Sequence, residues 1–382
     1  MDFSFSEEQR LLRDNIVRFA KGTLNQKVIE RDHNHEFSRD LWRKCGEIGI
    51  QGLPVPEQYG GSNVDPLTCA IALEALGSAC HDGGLVFSLS AHLLACVVPI
   101  WRHGTDAQKQ RYLPGLCDGT WIGSHAITEP GSGSDTFSMR TRAEKVDGGW
   151  KINGTKTFIS NGPVADVAII FAVTDPGKGF HGGVSSFLVD AGQQGLTTGK
   201  PFAKMGLRTS PIGELVFQDM FVPDDAVLGK VGAGSAVFGT AMDWERALLV
   251  AGHVGVMERL LETAVGYARS RNQFNQSIGK FQAVSHKIAD MKVQLEAARL
   301  LAYRAAWKLG NSRSASLDAS IGKLFVSESL LQSALDCVQL HGGYGFMVEY
   351  EVERVLRDAV AGTIYSGTSE MQRNIISRWL GL

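Results

Sequence analysis

The stretch WKINGTKTFIS (Trp150–Ser160) interrupts a chain that is otherwise patterned as helix. Polar and apolar residues alternate on both sides of Asn153-Gly154, a pair typical of a tight hairpin turn. Three further strand-like segments follow, separated by Gly, Pro and Asp: DVAIIFAVTD (166–175), GVSSFLVDA (183–191) and GELVFQDMFVP (213–223). These features predict a hairpin at Asn153-Gly154 and a compact antiparallel sheet or barrel over residues 120–231.

Helical patterns lie on both sides of this region. Before residue 120, apolar residues recur at helical spacing, beginning after Ser6, which we expect to be an N-cap. After Gly234, long helical stretches return without a repeat or a low-complexity linker. The sequence therefore predicts a mainly α fold with a central β-domain: a helical N-terminal domain (1–119), the β-domain (120–231) and a C-terminal helical bundle (232–382).

The composition is that of a soluble globular protein. The 382 residues are 44% hydrophobic and carry a formal net charge of -2, which gives no electrostatic reason to expect a nucleic acid or a membrane as partner. The six cysteines form no C-x-x-C pair, and the first residues carry acids where a signal peptide would carry basic residues. We therefore expect reduced cysteines and a cytoplasmic protein.

The helix that starts near Ser235 carries a small group of charges on an apolar background. Between Ala236 and Val256 its only charged residues are Asp243, Glu245 and Arg246. Glu245 shares one face with small and apolar residues, so a flat ligand has room beside its carboxylate. The alternative is a structural role, in which Glu245 pairs with an arginine of another helix.

Two loops offer hydrogen-bond donors or exposed backbone to a ligand. AITEPGSGSDTFS (126–138) combines hydroxyl side chains with turn residues, and QLHGGYGF (339–346) places glycines at a helix end. Neither is a P-loop or a G-x-G-x-x-G motif, and each alone can also be an ordinary loop or a helix C-cap. No metal-ligand spacing is present in the sequence, so no metal site is predicted.

Taken together, these segments resemble the acyl-CoA dehydrogenase family, flavoenzymes that insert a double bond between the α and β carbons of an acyl thioester. The resemblance covers the whole chain. It rests on an ordered set of motifs: LPVPEQYGG (53–61), AITEPGSGSD (126–135), FISNG (158–162), VLG (227–229), RNQF (271–274), HGGYGF (341–346), RVLRDA (354–359) and YSGTSEMQR (365–373).

This resemblance implies that FAD binds between the β-domain and the C-terminal helices. The loop and strand end expected to hold the flavin ring contain Ala126, Ile127, Thr128, Gly133, Ser134, Phe158, Ile159 and Ser160. Arg271 and Gln273 are expected to reach the FAD of a neighbouring subunit, and the remaining cofactor contacts are assigned to Phe274, Gln282, Gln339, Gly342, Gly343, Thr368 and Glu370. Substrate contacts are assigned to Ser134, Asp243, Arg246 and Gly367.

The resemblance also bears on the catalytic base. Many members carry a glutamate at the position that this chain fills with Ser366, whereas the isovaleryl and long-chain branches place the base on the buried helix. The segment MDWERA (242–247) is similar to the second group, so Glu245 is predicted to be the base. Only the backbone N–H of Ser366 is then given a role, as a donor to the thioester carbonyl. Burial is expected to raise the pKa of Glu245, and Arg246 to oppose that rise.

The substrate is suggested by a softer resemblance. Residues 84–104, MDWERA and IYSGTS (364–369) are similar to the branch that acts on carrier-protein thioesters, such as prolyl-carrier-protein dehydrogenases. The alternatives are a short- or branched-chain acyl-CoA dehydrogenase, a flavin-dependent oxygenase on the same fold and a non-catalytic FAD-binding scaffold. The family further implies a homo-oligomer, expected to be a tetramer built as a dimer of dimers. The implied electron acceptor is an electron-transfer flavoprotein or oxygen.

Overall fold

A computed structural model describes residues 4–312 and 314–382. Its first part is helical, and the expected N-cap is confirmed, because the Ser6 hydroxyl accepts a hydrogen bond from the backbone N–H of Gln9. The helices of this part are α1 (Glu7–Phe19), α2 (Val28–Asn34), α3 (Arg39–Glu47), α4 (Pro66–Ala79), α5 (Gly83–Ala91), α6 (Val98–His103) and α7 (Asp106–Cys117).

The middle part is an eight-stranded sheet with one short helix. Its elements are β1 (Gly123–Ala126), β2 (Arg142–Val146), β3 (Gly149–Ser160), β4 (Val167–Val173), α8 (Gly179–Gly183), β5 (Val184–Asp190), β6 (Leu196–Thr198), β7 (Ile212–Pro223) and β8 (Val227–Leu228). The strand order is β6-β7-β3-β2-β4-β5-β8, with β1 beside β4. Most pairs are antiparallel as expected, but β4 pairs in parallel with β1 and with the end of β2, so the sheet is mixed.

The predicted hairpin at Asn153-Gly154 is wrong. β3 runs unbroken through both residues, and the turn between β2 and β3 lies at Asp147-Gly148. Gly154 instead lies at a shift of register against β7, with a φ of 151°. A Cβ there would approach the Cα of Thr141 to 2.8 Å, so the glycine allows two backbones to come close inside the sheet. Asn153 faces β7 and exchanges hydrogen bonds with Asp219.

The last part is a helical bundle with one small hairpin. Its elements are α9 (Gly234–Ser270), β9 (Asn272–Gln273), β10 (Gln276–Ser277), α10 (Gln282–Asn311), α11 (Ser316–His341), α12 (Val352–Gly362) and α13 (Ser369–Trp379). Helix α9 is the central element, and it packs against α4 from the first part and against α10 and α11 from its own. The predicted fold class, a mainly α chain with a central β-domain, is confirmed.

Helices α4 and α9 approach each other closely. A Cβ on Gly77 would lie 2.0 Å from the backbone oxygen of Gly252, and one on Gly255 would lie 2.0 Å from that of Glu74. Such contacts are open only to glycine, and they draw α9 into the core beside the first helical part. The position of Glu245 relative to the N-terminal helices follows from this packing.

One helical stretch among the described residues, Gly83–His103, is long and apolar enough to cross a membrane. Its most apolar window has a mean hydropathy of 1.9, and 89% of that window is buried inside the protein. This burial is what a core helix of a folded domain requires.

Candidate active site

Glu245 lies in the buried middle of the site. It projects from α9 with 8% of its surface exposed, in a stripe with Ala241, Leu248 and Gly252, all of them buried. The hydroxyl of Ser366 donates a hydrogen bond of 2.7 Å to Oε1 of Glu245. In the described part of the chain, no arginine forms an ion pair with Glu245, so the structural alternative of a pairing between helices is not found.

The burial of Glu245 has an electrostatic consequence. Removal of the carboxylate from water raises its pKa, while the Ser366 hydrogen bond and the charges of Arg246 and Lys323 lower it. The net direction is upward, so burial outweighs the opposing effect of Arg246 that the sequence left open. A carboxylate in this state is a stronger base than one in water.

The segment that carries Ser366 is held in an unusual backbone conformation. Ser366 has a φ of 55° and Gly367 a φ of 88°, both in the left-handed region. The carbonyl of Ser366 accepts hydrogen bonds from Arg246 Nε (2.9 Å) and Gln372 Nε2 (3.1 Å). The carbonyl of Gly367 accepts from Lys323 Nζ (2.8 Å) and from the same Gln372 amide (2.8 Å). These three side chains, Arg246, Lys323 and Gln372, form what we call the carbonyl clamp.

Two members of the carbonyl clamp, Lys323 and Gln372, were not predicted from the sequence. Lys323 is only 1% exposed, and burial lowers its pKa to about 8. Gln372 is fully buried on α13. The available signal was Lys323 itself, the one charged residue in the segment ASIGKLFVS (319–327) of α11.

A small cavity of about 50 Å³ follows α9 beyond Glu245. Leu249, one helical turn after Glu245, lines it together with Phe87 and Tyr365. The Tyr365 hydroxyl is 2.6 Å from Nε2 of His253, and the rings of Phe87 and Tyr365 are 4.8 Å apart. Burial lowers the pKa of His253 to about 4, so this histidine is neutral at physiological pH. Tyr365, the residue before Ser366, therefore forms part of the cavity wall.

A buried ion pair holds the inner side of the loop that is predicted to bind the flavin ring. Lys156 Nζ lies 2.8 Å from Glu129 and also donates to the Ile127 carbonyl at 3.0 Å. Glu129 accepts two more hydrogen bonds, from the backbone N–H groups of Arg140 and Thr141. This pair was not predicted from the sequence; its side chains are 0% (Lys156) and 6% (Glu129) exposed.

The outer side of the same loop is open. A Cβ on Gly131 or Gly133 would meet no atom within 4 Å, and Ser134 is exposed. The Thr157 N–H donates to the Thr128 carbonyl at 2.9 Å, which joins the loop to the end of β3. The structure thus brings the predicted residues 126–134 and 158–160 together. It also turns Phe158 outward, with a φ of 57° and 67% exposure. An open loop with a rigid back and an exposed aromatic beside it fits the flat ring of a flavin.

A second group of predicted cofactor residues lines one larger cavity of about 450 Å³. It contains Arg271, Gln273, Gln339, Gly342 and Gly343, drawn from the hairpin after α9 and from the end of α11. Gly342 ends α11 with a φ of 58°, and neither glycine has an atom within 4 Å of where its Cβ would lie. Open backbone beside an arginine and two amides suits a nucleotide.

The other predicted cofactor and substrate residues lie at the ends of elements or beside Glu245. Gln282 is the first residue of α10, and Phe274 is 87% exposed in the β9–β10 turn. Thr368 caps α13 through the N–H of Met371, and Glu370 lies in the first turn of that helix. Asp243 is half-buried on α9 two residues before Glu245, and burial raises its pKa. Among the described residues there is no group of three or more His, Cys, Asp or Glu side chains arranged to hold a metal ion.

Consecutive parts of the chain match the three domains of one protein family. Three family descriptions match it: the N-terminal domain of acyl-CoA dehydrogenase at residues 6–120, its middle domain at 124–220 and its C-terminal domain at 232–381. An L-prolyl-[peptidyl-carrier protein] dehydrogenase from Serratia sp. is 43% identical over 382 residues, which is 100% of this chain and 99% of the relative.

Two solved structures superpose closely. The prolyl acyl carrier protein oxidase AnaB has a TM-score of 0.97 at 44% identity, covering 99% of this chain and 100% of its own. PigA with FAD and proline has a TM-score of 0.98 at 43% identity, covering all of both chains. The expectation of an FAD-dependent dehydrogenase, including its softer resemblance to the carrier-protein branch, is confirmed. This chain belongs to the acyl-CoA dehydrogenase family.

Proposed function

We propose that this protein inserts an α,β double bond into a small aminoacyl group, prolyl or similar in size, that is tethered as a thioester to a carrier protein. The observation that carries the proposal is the buried Glu245, which accepts a hydrogen bond from Ser366 and lies one helical turn before Leu249 in the wall of the small cavity. The relatives named above, which act on prolyl groups bound to carrier proteins, support the substrate class.

Glu245 is the proposed base. Its carboxylate takes the α proton of the thioester, so that a C–H bond breaks and an O–H bond forms on the carboxyl group. As that proton leaves, negative charge develops on the thioester carbonyl oxygen, and the backbone N–H of Ser366 is the proposed donor to it. Asp243, Arg246, Gly367 and Ser134 are proposed to contact the rest of the substrate.

FAD, when bound, supplies the acceptor for the β hydride. The proposed holders of its ring are the loop from Ala126 to Ser134 and the strand end from Phe158 to Ser160. The proposed holders of the nucleotide part are the residues of the larger cavity, Arg271 and Gln339 among them, with Phe274, Gln282, Thr368 and Glu370 around them. The buried pair of Lys156 and Glu129 has the proposed task of keeping the flavin loop rigid.

The size of the small cavity favours a short acyl group. Its volume of about 50 Å³ is far below the roughly 300–1,000 Å³ of pockets that take whole drug-sized ligands. Phe87, Tyr365 and His253 lie in its wall and are joined by a ring contact and a hydrogen bond, so the proposed acyl group is short. A five-membered ring or a short branched chain matches this geometry better than a fatty acyl chain.

Delivery by a carrier protein has a physical advantage. A docked carrier makes contacts far from the reacting carbons, and that binding energy helps to align the α carbon with Glu245. A CoA thioester lacks these surface contacts, so we expect it to react more slowly. The proposed electron acceptor is oxygen or an electron-transfer flavoprotein, since one relative is named an oxidase and another a dehydrogenase.

The test is anaerobic reduction of the bound flavin, followed by its absorbance. Prolyl-carrier protein, prolyl-CoA, butyryl-CoA and octanoyl-CoA are each mixed with the holoenzyme in a stopped-flow instrument. We expect the prolyl-carrier protein to bleach the flavin fastest and octanoyl-CoA to be inert. Equal or faster reduction by the CoA thioesters would place the protein in ordinary acyl-CoA metabolism instead.

A further inference from the structure

The side chain of Ser366, and not only its backbone, contacts the proposed base. Its hydroxyl supplies the one hydrogen bond that the described residues donate to the Glu245 carboxylate, at 2.7 Å to Oε1. Ser366 and Glu245 are 121 residues apart in sequence, so only the tertiary fold brings them together. The expectation that nothing but the N–H of Ser366 matters is therefore incomplete.

The carbonyl clamp explains how Ser366 is held in place. Arg246, Lys323 and Gln372 donate four hydrogen bonds to the two successive carbonyls of Ser366 and Gly367. A non-glycine residue adopts the left-handed region only when its surroundings impose it, and here Ser366 has a φ of 55°. The clamp comes from α9, α11 and α13, so three helices fix the backbone segment from which the Ser366 hydroxyl projects.

We propose that Ser366 is a positioning residue for Glu245: its hydroxyl, held by the carbonyl clamp, binds Oε1 and leaves Oε2 to receive the α proton. This inference rests on the proposed function, because it concerns the orientation of the proposed base. The same hydroxyl can donate to Oε1 before and after the transfer, since the proton arrives on the other oxygen. Ser366 thus takes over the control of carboxylate geometry at a position where many family members carry the base itself.

The hydrogen bond also stabilises the charged form of Glu245, because a donated hydrogen bond favours an anion over the neutral acid. Its removal raises the pKa of Glu245 further, in line with the lowering effect that the Ser366 bond has on that group. A positioning role therefore has a signature that a purely structural role lacks. The loss of rate is larger at low pH than at high pH, because more of the base is protonated at low pH.

The principal variant is Ser366→Gly. Glycine adopts a positive φ without strain and keeps both carbonyls of the clamp, so this variant removes the hydroxyl and little else. We expect FAD content and thermal stability to stay close to those of the unmodified protein. At pH 7 we expect flavin reduction by prolyl-carrier protein to slow by about tenfold, the effect of losing a hydrogen bond to a charged group. We expect the acid limb of the pH profile to move to higher pH.

Ser369→Ala is the matched control, because the Ser369 hydroxyl is buried close by and has no hydrogen-bond partner within the described residues. It should leave the pH profile in place. Lys323→Met removes one donor of the clamp together with a positive charge that lowers the pKa of Glu245, so it should shift the profile in the same direction as Ser366→Gly. An acid limb that is unchanged in Ser366→Gly, or a loss of rate that is the same at every pH, would overturn the inference.

A second readout separates this inference from the proposed function. Infrared titration of the Glu245 carboxyl band, assigned by its absence in Glu245→Gln, needs no substrate. The band should titrate at higher pH in Ser366→Gly than in the unmodified protein, and identical titrations would overturn the inference. If no thioester reduces the flavin at all, the proposed function fails, while the titration still decides whether Ser366 controls Glu245.

Discussion

At the scale of single residues, two effects act on the Glu245 carboxylate in opposite directions. Burial disfavours its charge, and a hydroxyl, an arginine and a lysine favour it. Because burial is the largest effect, the pKa of Glu245 lies above its ordinary value of 4.5. The proposed base is thus able to accept a proton without being neutralised by a direct ion pair.

This balance predicts the pH dependence of flavin reduction. The deprotonated form of Glu245 is the active one, so the rate should rise with pH and reach half of its maximum above pH 4.5. Single-turnover reduction of the flavin by a saturating thioester, measured across pH, checks this. A half-maximum at or below pH 4.5 would mean that burial does not control the base.

The sequence predicts Glu245 as the base because a carboxylate lies in an apolar helix and the family resemblance finds Ser366 where many members carry an acid. It does not reveal the hydroxyl contact of Ser366 or the contribution of Lys323. Those depend on where α9, α11 and the segment before α13 meet, and the charge of Lys323 in its apolar segment does not show which residues it will contact. Side-chain hydrogen bonds between distant residues are decided by packing, which periodicity does not encode.

At the scale of elements, the long helices follow from their sequence patterns and the sheet follows only in part. The Ser6 cap, the start of α9 and the glycine at the end of α11 are all where local signals put them. The hairpin signal at Asn153-Gly154 misleads because the same two residues also suit a shift of register inside a strand. The neighbouring strand determines whether a hairpin turn or a shift of register is formed. Here the pairing with β7 and the close approach of the Thr141 backbone favour the shift of register.

Because Gly154 lies inside β3 and Gly148 in the turn before it, we predict that their substitutions lower the free energy of unfolding by different amounts. Gly154→Ala combines a disfavoured φ with a clash against Thr141, so we expect a loss of about 2–4 kcal/mol in the free energy of unfolding. Gly148→Ala, in the true turn, has a φ of 73° and no atom within 4 Å, so we expect a loss of about 1 kcal/mol. Denaturant unfolding of both variants measures the difference. A true turn at Asn153-Gly154 would reverse the order.

At the scale of the whole molecule, the hairpin after α9 extends into solvent. Its tip carries Phe274, which is 87% exposed, beside Asn275 in the left-handed region. Arg271 at its base lies over the ring of Tyr344 on the rim of the larger cavity. A large exposed aromatic next to a proposed nucleotide site offers apolar surface that a second copy of the chain could cover, which agrees with the proposed homo-oligomer.

We therefore predict that Arg271→Ala weakens FAD binding by tenfold or more while the apoprotein unfolds at the same temperature. The removed charge faces the cavity and contributes to no core packing. Arg269→Ala is the control, since Arg269 is exposed two residues earlier on α9 and does not line that cavity. Fluorescence titration with FAD and sedimentation of the holoprotein are the measurements. A monomer that binds FAD equally well in both variants would contradict the shared site.

Glu245→Gln tests whether Glu245 is the base of a flavin-dependent dehydrogenation. Glutamine keeps the size of the side chain and removes the proton acceptor, so FAD should stay bound while anaerobic flavin reduction by prolyl-carrier protein falls by about 10²–10⁴-fold. Glu262→Gln, an exposed change on the same helix, should leave the rate unaltered. If Glu245→Gln with bound FAD reduces its flavin at the rate of the unmodified protein, the proton is taken by another group and Glu245 is not the base.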